Sequence, residues 1–371
     1  MKVKLLYTST IALSLSLFVL CGNSKDNSSI KEENPPIINK ENFIIGATLN
    51  HRELKTIKEE LFLKDFKYLT PANAAKQEII HPTPNVWNWK WVDDFIDFSK
   101  KHDLQLRLHG PISPQSSKWA KEDHRTAEEL DQNMTEFLTA FAMRFNNEPT
   151  VKWMDVVNET IIEKTGKWLG DKPGVDAWEN PWFKMGVDEN GYPLFILKAF
   201  EIATEHAPNI KLVYNLQGGM QAPMWNKLKE TVLYLRSKGS RVDGIGWQAH
   251  IMFNNNSSGF VVNMEEEAKK LADLIDWAHQ NDLEFHVTEL DYFVKDSNNL
   301  DAAYKKQAEV YQKIVDILIE KSKNGVVTLN LWDMGERFKK DKGYFYSIYD
   351  SKFEPTPAYK TIINALEYQN K

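Results

Sequence analysis

From Phe43 onward the chain alternates short apolar runs with longer stretches in which apolar residues recur at helical spacing. The runs are FIIGATL (43–49), FKYLTPAN (66–73), LQLRLHG (104–110), VKWMDVVNE (151–159), IKLVYNL (210–216), VDGIGWQAH (242–250), LEFHVTELD (283–291) and VVTLNLWD (326–333). Between them, groups such as Val92, Phe95 and Ile96, or Val310, Ile314, Ile317 and Leu318, fall on one helical face. Regular alternation of strand and helix predicts parallel strands covered by helices, and eight such units close into an α/β fold, a single (β/α)8 TIM barrel. An open doubly wound sheet is the competing arrangement. It calls for a glycine-rich turn after the first strand, and GATLNHREL supplies only Gly46. The sequence has no Walker-type loop, no HExxH motif and no repeat at a solenoid period.

In a parallel barrel the active-site groups project from the C-terminal ends of the strands. Here those ends carry Asn73, His109, Asn158 with Glu159, Asn215, Gln248 with His250, Glu289 with Asp291, and Trp332 with Asp333. The stretch WMDVVNET shows the pattern at its sharpest: Val156 and Val157 suit a sheet interior, yet two polar residues follow at once. A carboxylate buried there without partners costs several kcal/mol or gives up its charge, so the strand ends at something that uses it. Closure of the barrel brings Glu159, at the end of the fourth strand, to face Glu289, near the end of the seventh. Two facing carboxylates are what glycosidic bond hydrolysis requires, one protonated to assist the leaving oxygen and one ionised to attack or to activate water. The plainer alternative for either glutamate is a rim salt bridge.

Composition narrows the field. The 371 residues carry a formal net charge of -6, so there is no basic field to hold nucleic acid. The single cysteine, Cys21, leaves no internal disulfide and no cysteine-based zinc site. Twelve tryptophans and thirteen tyrosines are suggestive of sugar-binding surfaces. Residues 1–21 read as an export signal: Lys2 and Lys4, an apolar stretch, then Cys21 in the position of a lipoprotein's acylated cysteine. Residues 22–40 have the composition of a flexible polar tether, and the catalytic domain spans 41–371. The expectation is an exported protein, a cell-surface or periplasmic lipoprotein held to the membrane only through Cys21, with a plain secretory signal or an uncleaved anchor as the alternatives.

WMDVVNE (153–159), DGIGWQAH (243–250) and VTELD (287–291), together with PWFKMGVDENGYPLFILKAFEIA (181–203) and PTPAY (355–359), resemble glycoside hydrolase family 10, the retaining endo-β-1,4-xylanases. The resemblance spans about residues 43–369. It implies Glu159 as general acid/base and Glu289 as nucleophile, with Asn158 on the sugar 2-hydroxyl and His250, supported by Asp291, positioning the nucleophile. It also implies glycone contacts from His109 and Lys76; Asn73, Gln248 and Trp332 complete the expected substrate-binding set. Glu159 needs a raised pKa, which burial beside Trp153 or Trp332 would supply, and Glu289 needs hydrogen bonds from His250 or Gln248 to stay ionised. Asn158 and His250 also admit plain structural roles, a satisfied strand-end amide and a core histidine. No cofactor and no metal are implied; the partner is a polysaccharide or oligosaccharide.

The pattern breaks on the glycone side. ANAAKQ (72–77) has Ala72 and Gln77 where the family shows Glu and Trp, HGPISPQSSKW (109–119) has Ser113 and Pro114 near the family's tryptophan and second histidine, and NLQGG replaces an Asn-Asp-Tyr-Asn turn. Plain xylan is therefore joined by decorated xylan and by another β-linked glycan, an anionic one included, as candidate substrates. The loop 160–191 carries Trp168, Trp178 and Trp182 as candidate cleft walls, and Arg337, Lys339, Lys340 and Lys342 form either a solvated charge run or a site for an anionic substituent. Two other functions stay open: a surface glycan-binding protein that kept the barrel, and a metal-dependent hydrolase using His109, His250 and Asp291.

Overall fold

The computed structural model describes residues 42–253, 259–294, 300–339 and 343–370. Cys21, the export signal and the tether lie outside them, as do Lys340 and Lys342. Each predicted run contains a strand: β1 (Phe43–Thr48), β2 (Tyr68–Thr70), β3 (Gln105–Leu108), β4 (Val151–Asn158), β5 (Lys211–Leu216), β6 (Gly244–Trp247), β8 (Glu284–Val294) and β9 (Val327–Leu331). All eight are parallel, and β1 pairs with β2 on one side and with β9 on the other, so the ring closes without an edge. Two additions extend the wall at the mouth. A short β7 (His250–Phe253) runs beside the far half of β8, and a hairpin of β10 (Arg337–Lys339) and β11 (Gly343–Tyr346) pairs antiparallel with its end.

The outer faces of the strands bury their apolar residues against the helices. In α3 (Lys90–His102) the buried face is Val92, Phe95, Ile96 and Ser99, and in α4 (Ala127–Phe145) a stripe from Leu130 to Phe145 does the same. The start of α4 is set by a capping box in which Thr126 and Glu129 satisfy each other's backbone N–H.

Inside the ring the chemistry changes with depth. Near the bottom, Tyr68, Trp153 and Val213 form a small apolar cluster of their own. Above it the buried Arg107 and Asp155 form an ion pair, Arg107 Nε donating at 2.9 Å. Higher still comes a polar belt: Asn330 donates to Thr48 (2.8 Å) and accepts from Thr70 (3.2 Å), and Thr288 donates to Asn215 (2.9 Å). Buried polar groups are tolerated only when paired, and this belt is the platform on which the mouth is built.

Candidate active site

Both strands that carry the predicted carboxylates break register close to them. On β4, Trp153 and Asp155 point inward at the ordinary two-residue alternation; the register then shifts between Asp155 and Val157, so that Asn158 also reaches the interior. On β8 the shift falls between Val287 and Leu290, around Glu289. An extra residue in one strand re-aims every side chain after it. Glu159 then adopts φ +56°, Ala249 between Gln248 and His250 adopts φ +61°, and Asp333 after Trp332 adopts φ +108°. Left-handed backbone at a non-glycine residue costs about 1 to 2 kcal/mol, and three such residues ring one barrel mouth. Strain directly beside site side chains marks places where side-chain direction matters more than local stability.

The two carboxylates line one cavity of about 240 Å³, smaller than the roughly 300–1,000 Å³ of sites for drug-sized ligands and suited to a single sugar ring. Glu159 accepts hydrogen bonds from Gln248 Nε2 (2.8 Å) and Asn158 Nδ2 (3.3 Å). Burial raises its pKa; the Gln248 bond opposes this, the nearby charge of Glu289 adds to it, and the net shift is upward. Burial would raise Glu289 as well, yet the positive charges of His109, His250 and Lys76 and the His250 hydrogen bond prevail and hold it down at about 2. Asn215 Nδ2 donates to Glu289 Oε1 at 3.1 Å, while His109 Nε2 and His250 Nε2 stand 3.5 and 3.4 Å from its two oxygens.

Each histidine is backed by the same sequence of groups. His109 Nδ1 meets Asp155 at 2.8 Å, and Asp155 is paired with Arg107. His250 Nδ1 meets Asp291 at 2.8 Å, and Asp291 accepts from Arg337 at 3.1 Å. Burial works against charge on His250, but Asp291 and Glu289 outweigh it and raise its pKa. Two His–Asp–Arg relays thus converge on Glu289. The second continues outward: Arg337 Nε lies 3.8 Å from Asp333, which is bound at 2.6 Å by Lys58.

Of the other sequence-predicted residues, Asn73, Lys76, His109, His250 and Trp332 line the cavity. Asn158, Gln248 and Asp291 stand behind it. Lys76 is buried, which pulls its pKa down against the opposing pull of Glu289 and Glu159. Two expectations are corrected. Trp153 does not bury Glu159, because it lies at the opposite end of β4, packed 5.1 Å from Tyr68 and donating to Glu284 at 2.8 Å. Gln248 serves Glu159 rather than Glu289, whose amide partner is Asn215. Asp155 and Gln115 were not singled out from sequence, and Asn215, Trp178 and Arg337 entered only as a strand-end amide, a candidate cleft wall and a candidate anion contact; two-residue alternation forward from Trp153 would have put Asp155 inside. Arg337 pairs with Asp291 at 3.1 Å, stands 3.8 Å from Asp333 and lines the cavity, so it is not part of a solvated charge run. Trp182 is fully buried and Trp168 packs under Lys227, so Trp178 is the member of that trio that reaches the cavity. Among the described residues no group of three His, Cys, Asp or Glu side chains is placed to hold a metal ion, and no helix is long and apolar enough to cross a membrane.

These environments fix the sign of a pH dependence. If Glu289 acts ionised and Glu159 protonated, as the resemblance to the family implies, kcat/KM falls at low pH as Glu289 gains its proton and at high pH as Glu159 loses its own. His250 lowers the pKa of both carboxyls, so His250→Ala moves both limbs to higher pH, measured as kcat/KM against pH on an aryl β-xyloside. For folding, the contribution of Glu289 is fully present above the ordinary carboxyl range and is lost as the pH falls towards about 2.

The model of glycosyl hydrolase family 10 matches residues 36–365. Endo-1,4-beta-xylanase A of Caldicellulosiruptor saccharolyticus is 30% identical over 311 residues, covering 80% of this chain and 84% of the relative. Endo-1,4-beta-xylanase B of Thermotoga neapolitana is 27% identical over 321 residues, covering 84% of each. Among solved structures, xylanase 10B of Thermotoga petrophila RKU-1, in complex with xylobiose, superposes with a TM-score of 0.70 at 26% identity over 90% of this chain and 96% of that one. With a closed barrel, paired carboxylates at its mouth and a family match across nearly the whole described chain, this protein belongs to glycosyl hydrolase family 10.

Proposed function

We propose that this glycoside hydrolase is a retaining endo-β-1,4-xylanase acting on xylan or a decorated xylan, with Glu289 as nucleophile and Glu159 as acid/base. The observation that carries the reading is the opposite electrostatic treatment of two carboxyls in one cavity, Glu159 raised and Glu289 lowered. In the first step a Glu289 oxygen bonds to the anomeric carbon as the glycosidic C–O bond breaks, and Glu159 delivers its proton to the departing oxygen. Esterification removes the charge on Glu289, so the pKa of Glu159 falls and it becomes the base that takes a proton from the incoming water. Water attacks the same carbon, Glu289 leaves, and the original anomeric configuration returns.

Asn158 is suited to the sugar 2-hydroxyl because its amide is locked in place, its oxygen accepting from Asn215 (2.9 Å) and Gln248 (3.2 Å). Lys76, His109 and Asn73 face the glycone. The departures at Ala72 and Gln77 change what this side offers. Ala72 leaves space at the cavity wall, and Gln77 is turned away to hold Ser117 N–H (2.6 Å) and Asn133 (3.2 Å). With a bare methyl at position 72 instead of a carboxylate, the wall no longer demands a free sugar hydroxyl there, which supports decorated xylan.

The test is reducing-end-labelled product analysis on a panel of plain and substituted xylans and other β-glycans, with Glu159→Gln and Glu289→Gln alongside. Xylo-oligosaccharide release by the parent protein and none by either variant is the expected result; silence on the whole panel would replace the enzyme reading with a glycan-binding one. Export with acylation at Cys21 is the matching proposal for the N-terminus, supported by the charged, apolar and cysteine sequence of residues 1–21. Radiolabelled palmitate incorporated into the parent and absent from Cys21→Ala is the expected outcome, and equal labelling refutes it.

A further inference from the structure

We infer that Trp178 is a specificity-determining residue, a stacking platform for the glycone sugar delivered by the loop that follows β4. The inference rests on the glycosidase reading above. The loop between β4 and α5 (Leu194–His206) does not stay over its own strand. It crosses to the segment after β3 and is tied there: Gly174 N–H donates to Asp123 Oδ1 at 2.9 Å, and Lys184 Nζ to the Asp123 carbonyl at 3.3 Å. The crossing brings Trp178 into the cavity that Lys76, His109 and Gln115 line, beside the segment where Ser113 and Pro114 leave no aromatic ring.

The backbone on either side of Trp178 is pinned while its ring is not. Lys172 Nζ donates to the Trp178 carbonyl at 2.8 Å and Lys121 Nζ to the Ala177 carbonyl at 3.3 Å. The next two residues, Glu179 and Asn180, are buried. The residue is 49% exposed, and its indole has neither a ring nor a cation against it among the described residues. Other tryptophans at the surface are already covered. Trp87 lies between His81 (4.1 Å) and Trp89 (5.2 Å), and Trp119 and Trp168 have Arg125 (4.3 Å) and Lys227 (5.0 Å) over their faces. An indole with an open face, carried on a fixed backbone inside a polar cavity, suits a pyranose ring, because a β-linked xylosyl or glucosyl unit carries its hydroxyls equatorially and presents axial C–H groups to the negative face of the π system. Preorganised backbone keeps the ordering cost of that contact low.

The experiment compares the parent chain with Trp178→Ala and Trp178→Tyr on reducing-end-labelled xylohexaose, recording KM, kcat, the frequency of cleavage at each bond and the thermal midpoint. The expected result for Trp178→Ala is a rise in KM of about tenfold, larger than any fall in kcat, with a redistribution of cleaved bonds. Trp178→Tyr should restore most of the KM and the parent pattern. A half-exposed ring contributes little to folding, so the thermal midpoint separates lost stacking from lost structure. An alanine variant with the parent's KM and bond pattern overturns the inference while leaving the xylanase reading standing. A parent chain that cleaves neither xylohexaose nor any glycan of the panel overturns both.

Discussion

Replacing Glu289 by alanine is expected to lower turnover of xylan and of aryl β-xylosides by a factor on the order of 10⁴ to 10⁶, the scale seen when a nucleophile is deleted from a covalent mechanism. The effect is large because every group around Glu289 is arranged for its negative charge. His109, His250 and Asn215 all converge on its two oxygens, and none of them forms a bond to carbon in its absence. The vacated space beside two cationic or donor histidines suits a small anion. Azide is therefore expected to restore turnover of an activated aryl β-xyloside, attacking from the side of the missing carboxylate. The product is then the α-xylosyl azide, of inverted configuration, identified by proton NMR from its anomeric coupling. A Glu289→Ala protein that keeps parent-level turnover, or that yields the β-azide, would move the nucleophile to another residue.

Glu159→Ala has a different signature, and the difference is what assigns the two roles. With a poor leaving group such as another sugar, loss of the acid costs roughly 10²- to 10⁴-fold. With a good leaving group such as a dinitrophenolate, departure needs no proton, so the first step proceeds and the enzyme stalls as the glycosyl ester, now without a base to activate water. Both kcat and KM then fall together, and kcat/KM changes little. Azide rescues by attacking the ester and gives the β-xylosyl azide, of retained configuration. The alkaline limb of the pH profile, set by the raised pKa of Glu159, disappears with it. The measurement is kcat/KM across aryl β-xylosides of graded leaving-group pKa; equal losses across the series would reject Glu159 as the acid.

Much of the architecture was legible because the barrel writes itself into local pattern. Each strand is a short apolar run, each helix has an apolar face, and eight such units without a glycine-rich first turn favour closure, which the pairing of β1 with β9 completes. The carboxylates were legible for a related reason: a charged residue directly after an apolar run is costly unless it is used, so Glu159 and Glu289 stood out from their flanks. Partner choice was not legible. Gln248 and Asn215 are equally plausible amides at the ends of neighbouring strands, and only the registers of β4, β5, β6 and β8 together decide that Asn215 reaches Glu289 while Gln248 reaches Glu159. The misplacement of Trp153 has the same origin, since proximity in sequence to Glu159 says nothing about depth along a strand that rises over 3 Å per residue.

Sequence alone therefore determined what is periodic or chemically conspicuous in this protein: the eightfold alternation, the family, the pair of glutamates, and the loss of large side chains at Ala72 and Ser113. Tertiary structure decided what depends on displacement by a single residue or on a crossing between segments. The register shifts in β4 and β8 and the left-handed turns at Glu159, Ala249 and Asp333 set where side chains point, and the loop after β4 carries Trp178 to the far side of the mouth. Local pattern records which face a residue prefers. It does not record an inserted residue that reverses that face, nor a loop whose course is set by hydrogen bonds to a segment distant in the chain.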